Sequence, residues 1–358
     1  MYKIISSFLF LFFISCTNMD SNIQINKVYA SIETEPVESS GDTADDPCIW
    51  VHPKDPSLSL VIGTDKDENY AGLRVYDLTG KEIFKTENGK MNNVDIRYGF
   101  VLGSEKIDIV TAGERTSNTL AIFKVDIENR SLVNIAAREI KLGISVYGSC
   151  MYKNVNTNDI YAVVNDKKGN VEQYLLNDNG QGLVDATRVR ALKLPSQLEG
   201  CVADDILGHL YIGEEEKGIW KFGANPSDGN QGLLIDEMGS HLTADVEGLT
   251  IYYSGDSTGY LIASSQGNNS YAIYKREGDN SYIGQFAIAD GKVIDGVSDT
   301  DGIDVCNLNL NDQFQNWFFI VQDRVNDIGN QSFKIVPWES IANSFNPSLK
   351  MNNTWDHR

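Results

Sequence analysis

The stretch SLVIGTDK, residues 59–66, is a short apolar run ending in a polar cluster, and GLRVYDLTGKEIF (72–84) follows it as a hairpin of alternating runs around a Gly-containing turn. The same unit recurs along the chain. Its copies open at IDIVTAGER (107–115), IYAVVNDKK (160–168), LYIGEEEKG (210–218), YLIASSQGN (260–268) and WFFIVQDR (317–324). Successive copies start about 50 residues apart, a period that fits propeller blades and exceeds that of leucine-rich or helical-hairpin repeats. Hairpins such as NTLAIFKVDIENRSL (118–132), NVEQYLLNDNGQGLV (170–184) and YAIYKREGDNSYI (271–283) carry Asn, Asp and Gly at their turns. Ahead of each run stands another short strand: DDPCIWV (45–51), NNVDIRY (92–98), VYGSCMY (146–152), LEGCVAD (198–204), VEGLTIY (246–252) and DGIDVCN (301–307). Six units of four antiparallel strands predict an all-β fold, a single six-bladed β-propeller over residues 31–345 with a tail at 346–358. Long helical periodicity is nearly absent.

A chain of 358 residues with 41% hydrophobic content can bury a sizeable core. Its 50 acidic and 30 basic residues give a net charge of −20, which argues against nucleic acid and anionic lipid as partners and favours cations. Solubility of an exported protein is the plainer explanation for scattered carboxylates. The opening MYKIISSFLFLFFISC (1–16) has an early lysine, an apolar run and a small residue before cysteine, which reads as a secretory leader rather than a membrane span. The expectation is a lipoprotein signal peptide over 1–15, an exported chain anchored to a membrane through lipid on Cys16, and a flexible tether over 16–30. Cys48, Cys150, Cys201 and Cys306 each sit singly in apolar runs, without CxxC or Cys/His spacing, so all four are expected as buried free thiols even though export permits disulfides. The four histidines are isolated from one another and from the cysteines, which leaves a zinc site unsupported.

In a propeller, equivalent loops of all blades open on one face. The polar residues that introduce each unit's first strand are therefore expected to converge with those that end its second. The first set holds Asp45, Asp46, Asn92, Asn93, Asp95, Tyr147, Glu199, Glu247, Asp295 and Asp301; the second holds Lys66, Arg115, Lys167, Glu215, Gln266 and Asp323. Crowded like charges, as in DTADDPCIW (42–50), repel and need a compensating partner: a metal ion, a cationic substrate or solvent. The collection divides into Lys66, Arg115 and Lys167 from three consecutive units, and Glu199, Glu215, Asp245, Glu247, Asp295 and Asp301 from the next three. Oxygen ligands in such numbers suit calcium. Basic residues beside bound cations suggest a polyanion such as phosphate, which arginine grips with paired hydrogen bonds and lysine meets as a point charge. The chain has no Gly-rich loop ending in Lys-Ser/Thr, no Gly-x-Ser-x-Gly and no His-Glu-x-x-His.

The order of DDPCIWVHPKDP (45–56), NNVDIRYGF (92–100), VEQYLLN (171–177), LEGCVADD (198–205), YIGEEEKGIWKF (211–222), DVEGLTIYY (245–253), SSQGNNSYAIY (264–274), SDTDGIDV (298–305) and VPWE (336–339) resembles the run of motifs in β-propeller phytases. The resemblance starts at ETEPV (33–37) and covers nearly the whole mature chain. It implies a calcium-dependent phosphoric monoester hydrolase of the 3-phytase type. Such an enzyme removes phosphates from myo-inositol hexakisphosphate, met as its calcium complex, by direct attack of metal-activated water without a covalent intermediate. It further implies catalytic calcium on Asp45, Glu199, Glu215, Asp245 and Glu247, and structural calcium on Glu33, Asp46, Asn93, the Val94 carbonyl, Asp295 and Asn326. Lys66, Arg115, Lys167 and Tyr147 would contact phosphate, Tyr147 through its hydroxyl. Two rivals remain at this stage, a calcium-dependent lactonase or arylesterase propeller and a non-catalytic surface binding module. A monomer is the default.

Overall fold

The computed structural model describes residues 23–67, 71–307, 314 and 317–352, and nearly every regular element in it is a strand. The leader over 1–15 and Cys16 lie outside the described residues. Second strands of four units, Leu60–Asp65, Ile160–Asn165, Gly259–Ser265 and Phe318–Asp323, are buried at every residue. Each sheet is pressed between its two neighbours and needs apolar side chains on both faces, so these runs are continuous rather than alternating.

Six antiparallel sheets follow one another around a ring. Blade 1 is built from Ala44–Trp50, Leu60–Asp65, Gly72–Asp77 and Glu82–Lys85, innermost strand first. The innermost strands of blades 2 to 6 are Met91–Leu102, Ser149–Lys153, Leu198–Asp204, Leu249–Tyr253 and Ile303–Cys306. Each touches the next, and the sixth touches the first, enclosing a central channel. The cores lie between blades. At the junction of blades 5 and 6, for example, Tyr271, Phe286 and Phe319 pack with Trp317 and Trp338.

Three features depart from the sequence reading. First, blade 6 takes its outermost strand from the N-terminal region: Ile32–Glu33 pairs antiparallel with Ser332–Pro337, Glu33 opposite Lys334. The ring is thereby closed by hydrogen bonds between the two ends of the chain. Second, residues on either side of 31–345 also pack against the propeller. Within the expected tether, Ile25–Val28 adds a parallel strand to Tyr282–Ile288 of blade 5, because Val28 buries itself beside Phe286 and Ile288. In the expected tail, Leu349 is buried, and the Lys350 and Asn352 N–H groups donate to the hydroxyls of Tyr260 (2.7 Å) and Tyr252 (2.9 Å). Third, Cys150 and Cys201 are not free thiols but form a disulfide, whereas Cys48 and Cys306 are free and buried. The pair is 51 residues apart, about one blade repeat, so positions one residue out of register on adjacent innermost strands bring the sulfurs together.

Candidate active site

At one mouth of the channel the backbone forces carboxylates together. Glu199 stands on the innermost strand of blade 4, Glu215 directly follows that blade's second strand (His209–Glu214), and Glu247 precedes the innermost strand of blade 5. A Cβ on Gly148 would meet the Glu199 carbonyl oxygen at 2.0 Å, and one on Gly200 would meet the Glu247 carbonyl oxygen at 2.5 Å. Adjacent innermost strands thus touch main chain to main chain, and the residue before each glycine is thrust toward the mouth. Tyr147-Gly148, Glu199-Gly200, Glu247-Gly248 and Asp301-Gly302 repeat the arrangement in blades 3 to 6. As a result Glu199, Glu215 and Glu247, all buried, each place an oxygen within 4.8 Å of the others.

Buried, crowded carboxyls hold protons tightly. Burial pushes Glu215 up to about 7, against a 2.8 Å hydrogen bond from Gln197 Nε2 and with the help of Glu199. Burial and Glu199 push Glu247 well above the carboxylate range, and its Oε2 is buried without a hydrogen-bond partner. Half-buried Asp245 shifts the same way through burial, Glu216 and Glu199. Asp45 and Asp301 complete the acidic group. Burial raises Asp45 to about 7 despite Lys66, whose Nζ lies 2.5 Å from Asp45 Oδ2, 3.2 Å from Asp42 Oδ1 and 3.6 Å from Asp301 Oδ2. Asp301, raised by burial and by Asp45, accepts from Gln266 Nε2 at 2.9 Å. The Lys66 ammonium loses hydration on burial, but these three aspartates outweigh that and hold its pKa above the usual lysine range.

Lys66 therefore belongs to the acidic group, and the separate basic flank is made by Arg115 and Lys167. Arg115 Nη1 donates to Asn92 Oδ1 at 2.8 Å. The Tyr147 ring lies 3.9 Å from Lys167 Nζ and 5.2 Å from Arg115 Cζ, close enough for both cations to interact with its face. Arg115, Tyr147 and Lys167 line a cleft of about 430 Å³ together with Asn118, Ser145 and Lys168. Asn92 joins the two regions, since its Nδ2 also lies 2.8 Å from Glu199 Oε1 and 3.3 Å from Asp45 Oδ1.

The remaining candidates lie elsewhere. Asp46 turns down the channel, where its Oδ2 accepts the Val94 N–H at 3.1 Å and burial raises its carboxyl well above the usual range. Asn93 Oδ1 accepts from Asn92 Nδ2 at 3.1 Å, and its carbonyl accepts from Ser149 Oγ at 3.1 Å. Asp95 lies deeper still, paired with Arg97 at 2.9 Å. Glu33, Asp295 and Asp323 form a second carboxylate group around the buried Lys334, whose Nζ is 2.5 Å from Asp295 Oδ1, 2.7 Å from Asp323 Oδ2 and 3.7 Å from Glu33 Oε1. Asn326 bonds within its own loop, to Asn330 O at 3.1 Å and Ile328 N at 3.0 Å.

Asn92, Gln266 and Asp301 were visible as loop polar residues but carried no assigned role, and Gln197 was missed altogether. The Gly that follows each mouth residue in blades 3 to 6 is the sequence signal that could have located the cluster. Hard oxygen donors around a buried, unpartnered carboxylate oxygen fit a hard divalent cation. The adjoining cationic cleft fits a polyanion.

A family model described as Phytase matches residues 4–358. The chain is 50% identical over 326 residues to a 3-phytase of Bacillus subtilis (strain 168), covering 88% of this chain and 85% of that protein. Among solved structures it is similar in fold to a structural-genomics protein of unknown function from Bacteroides thetaiotaomicron, with a TM-score of 0.51 at 12% identity over 87% of this chain and 74% of the other.

Proposed function

Because the chain belongs to the β-propeller phytase family and is a phosphoric monoester hydrolase, we propose that it removes phosphate from myo-inositol hexakisphosphate at this channel mouth with the help of calcium. The observation that carries this reading is the unpartnered Glu247 Oε2, buried where Glu199 and Glu215 place further oxygens within 4.8 Å. Asp45, Glu199, Glu215, Asp245 and Glu247 would hold the ions. When bound, calcium offsets charge that develops on the phosphoryl oxygens and makes water more acidic.

The chain's own groups do the positioning. Arg115 and Lys167 grip a phosphate in the adjoining cleft, with Tyr147 as the surface against which both cations rest and as a hydroxyl donor to the substrate. Lys66 offers a third cation from within the acidic group. Holding one phosphate on the basic flank presents its neighbour to the carboxylate side, which converts an encounter into an oriented reaction. Water cleaves the phosphorus–oxygen bond, the inositol oxygen leaves with a proton, and inorganic phosphate is the second product. The same reading assigns structural calcium to Asp46, Asn93 and the Val94 carbonyl, and to Glu33, Asp295 and Asn326. Any ion in the latter group shares Glu33 and Asp295 with the Lys334 ammonium.

Phosphate release from phytate, measured with calcium and again with excess chelator, tests this. Chelation is expected to abolish release and to lower the melting temperature, since the repulsion among the mouth carboxylates is then uncompensated. Glu215→Ala is expected to cut turnover about a hundredfold or more while leaving the fold intact. Full activity in chelator would remove calcium from the mechanism, and an active Glu215→Ala would remove that residue from it.

A further inference from the structure

The Cys150–Cys201 disulfide crosses the molecule at a particular seam. Blades 2 and 3 carry the cleft residues Arg115, Tyr147 and Lys167, and blades 4 and 5 carry Glu199, Glu215, Asp245 and Glu247, with Asp45 of blade 1 and Asp301 of blade 6 completing the acidic group around Lys66. The bond joins the innermost strands of blades 3 and 4, where the basic cleft meets the Glu199, Glu215 and Glu247 cluster. Cys150 lies three residues after Tyr147 and Cys201 two after Glu199. Both are buried, with Cα atoms 5.6 Å apart. We propose that this disulfide is a positioning clasp: it fixes the spacing between the basic cleft and the carboxylate group, and so selects substrates whose phosphates span the two.

Other contacts along the inner ring are non-covalent. The Gly302 N–H donates to Asp45 O at 2.9 Å, the Val94 N–H to Asp46 Oδ2 at 3.1 Å, Ser149 Oγ to Asn93 O at 3.1 Å and Ser264 Oγ to Asp301 O at 3.4 Å. At the seam of blades 3 and 4, Asn165 Nδ2 holds Glu199 O at 2.7 Å, and Gly148 packs directly against the same carbonyl. The crosslink lies just below that contact. It therefore resists the separation that repulsion between Glu199 and its neighbours would drive, and holds the Tyr147 ring in register with Glu199. A positional error of about 1 Å between reacting groups can cost on the order of a hundredfold in rate.

The inference rests on the phytate-hydrolase reading, and its test separates the two. The Cys150→Ala/Cys201→Val chain, which keeps apolar filling at the seam, is compared with the unaltered chain in saturating calcium well below the melting temperature. The substrates are phytate and p-nitrophenyl phosphate, the second carrying a single phosphate that cannot span the seam. The clasp predicts that kcat/KM for phytate falls about tenfold or more, mainly through KM, while that for p-nitrophenyl phosphate stays within about twofold. An equal fall for both substrates, or a lower melting temperature with no change in the ratio, would reduce the disulfide to a stabilising crosslink and overturn the proposal. Should the double variant fail to fold, the native chain treated with a dithiol, which is oxidised as it leaves two cysteine thiols, gives the same comparison. Thiol titration that finds Cys150 and Cys201 reduced in the untreated chain also overturns it. An unaltered chain that releases no phosphate from phytate defeats the hydrolase reading instead.

Discussion

Asn92 connects charged groups that cannot safely meet without it. Its amide nitrogen lies within hydrogen-bonding distance of Glu199, 107 residues further along the chain, and of Asp45 in blade 1, while its oxygen takes a hydrogen from Arg115. A neutral amide can donate to carboxylates and accept from a guanidinium at once, which no charged side chain can do. Replacing it by alanine leaves buried carboxylate oxygens without a donor and frees Arg115 to swing toward the acids. Asn92→Ala is expected to lower kcat/KM for phytate between about tenfold and a hundredfold, with a much smaller effect on melting temperature. Steady-state kinetics alongside calorimetry checks this, and an unaltered kcat/KM would mean that Asn92 only fills space. The doublet NN at 92–93 marks a polar entry to a strand, but nothing local in it indicates which of the two amides faces across the channel.

Among the elements, the second strands were the most legible because burial on both faces leaves an unmistakable apolar run followed by a polar stop. The expected convergence also holds for Glu199, Glu215 and Glu247, whose oxygens meet within 4.8 Å. Elements defined only by a distant partner were not legible. Ile32–Glu33 is two residues long and becomes a strand only because Ser332–Pro337 lies beside it. Cys150 and Cys201 are neighbours in the ring but a blade apart in the chain, so spacing rules that look for local pairs pass over them. The close packing of innermost strands was equally hidden, although it decides the geometry of the mouth. It yields a direct expectation for Gly200→Ala: the added Cβ would stand 2.5 Å from the Glu247 carbonyl oxygen, so blades 4 and 5 must separate. Overpacking of this kind costs about 1–3 kcal/mol, and the shift should also spread the carboxylate group. Denaturant unfolding should show the loss of stability, and calcium titration should show a weaker apparent affinity. A variant that loses neither would mean the strands can part without cost.

For the molecule as a whole, the channel below the mouth sets the response to pH. There Asp304 faces Asp95 and Asp46, and Asp205 faces Arg97, Asp95 and Lys153. Arg97 bonds Asp205 Oδ2 at 2.8 Å and Asp95 Oδ1 at 2.9 Å, whereas Asp304 is held by neutral donors, the Thr250 hydroxyl at 2.9 Å and the Ile49 N–H at 2.9 Å. Burial, with Asp95 adding to it, lifts Asp304 from 3.8 to about 7, and burial lifts Asp205 to about 6 even against Arg97. Folded-state values above unfolded ones mean that the native state keeps protons which the unfolded chain has already released. Their contribution to stability is therefore fully present below about pH 4 and is lost as pH rises through 6 and 7. At a fixed calcium concentration the melting temperature should accordingly decline between pH 5 and pH 8 more steeply in the unaltered chain than in Asp304→Asn, which has no proton to lose. The difference between the two slopes is the quantity to measure, because calcium binding at the mouth becomes tighter as its ligands deprotonate and acts in the opposite direction in both proteins alike. Parallel slopes would place Asp304 among ordinarily ionised carboxylates, and would imply that the channel is wet enough to screen it from Asp95 and Asp46.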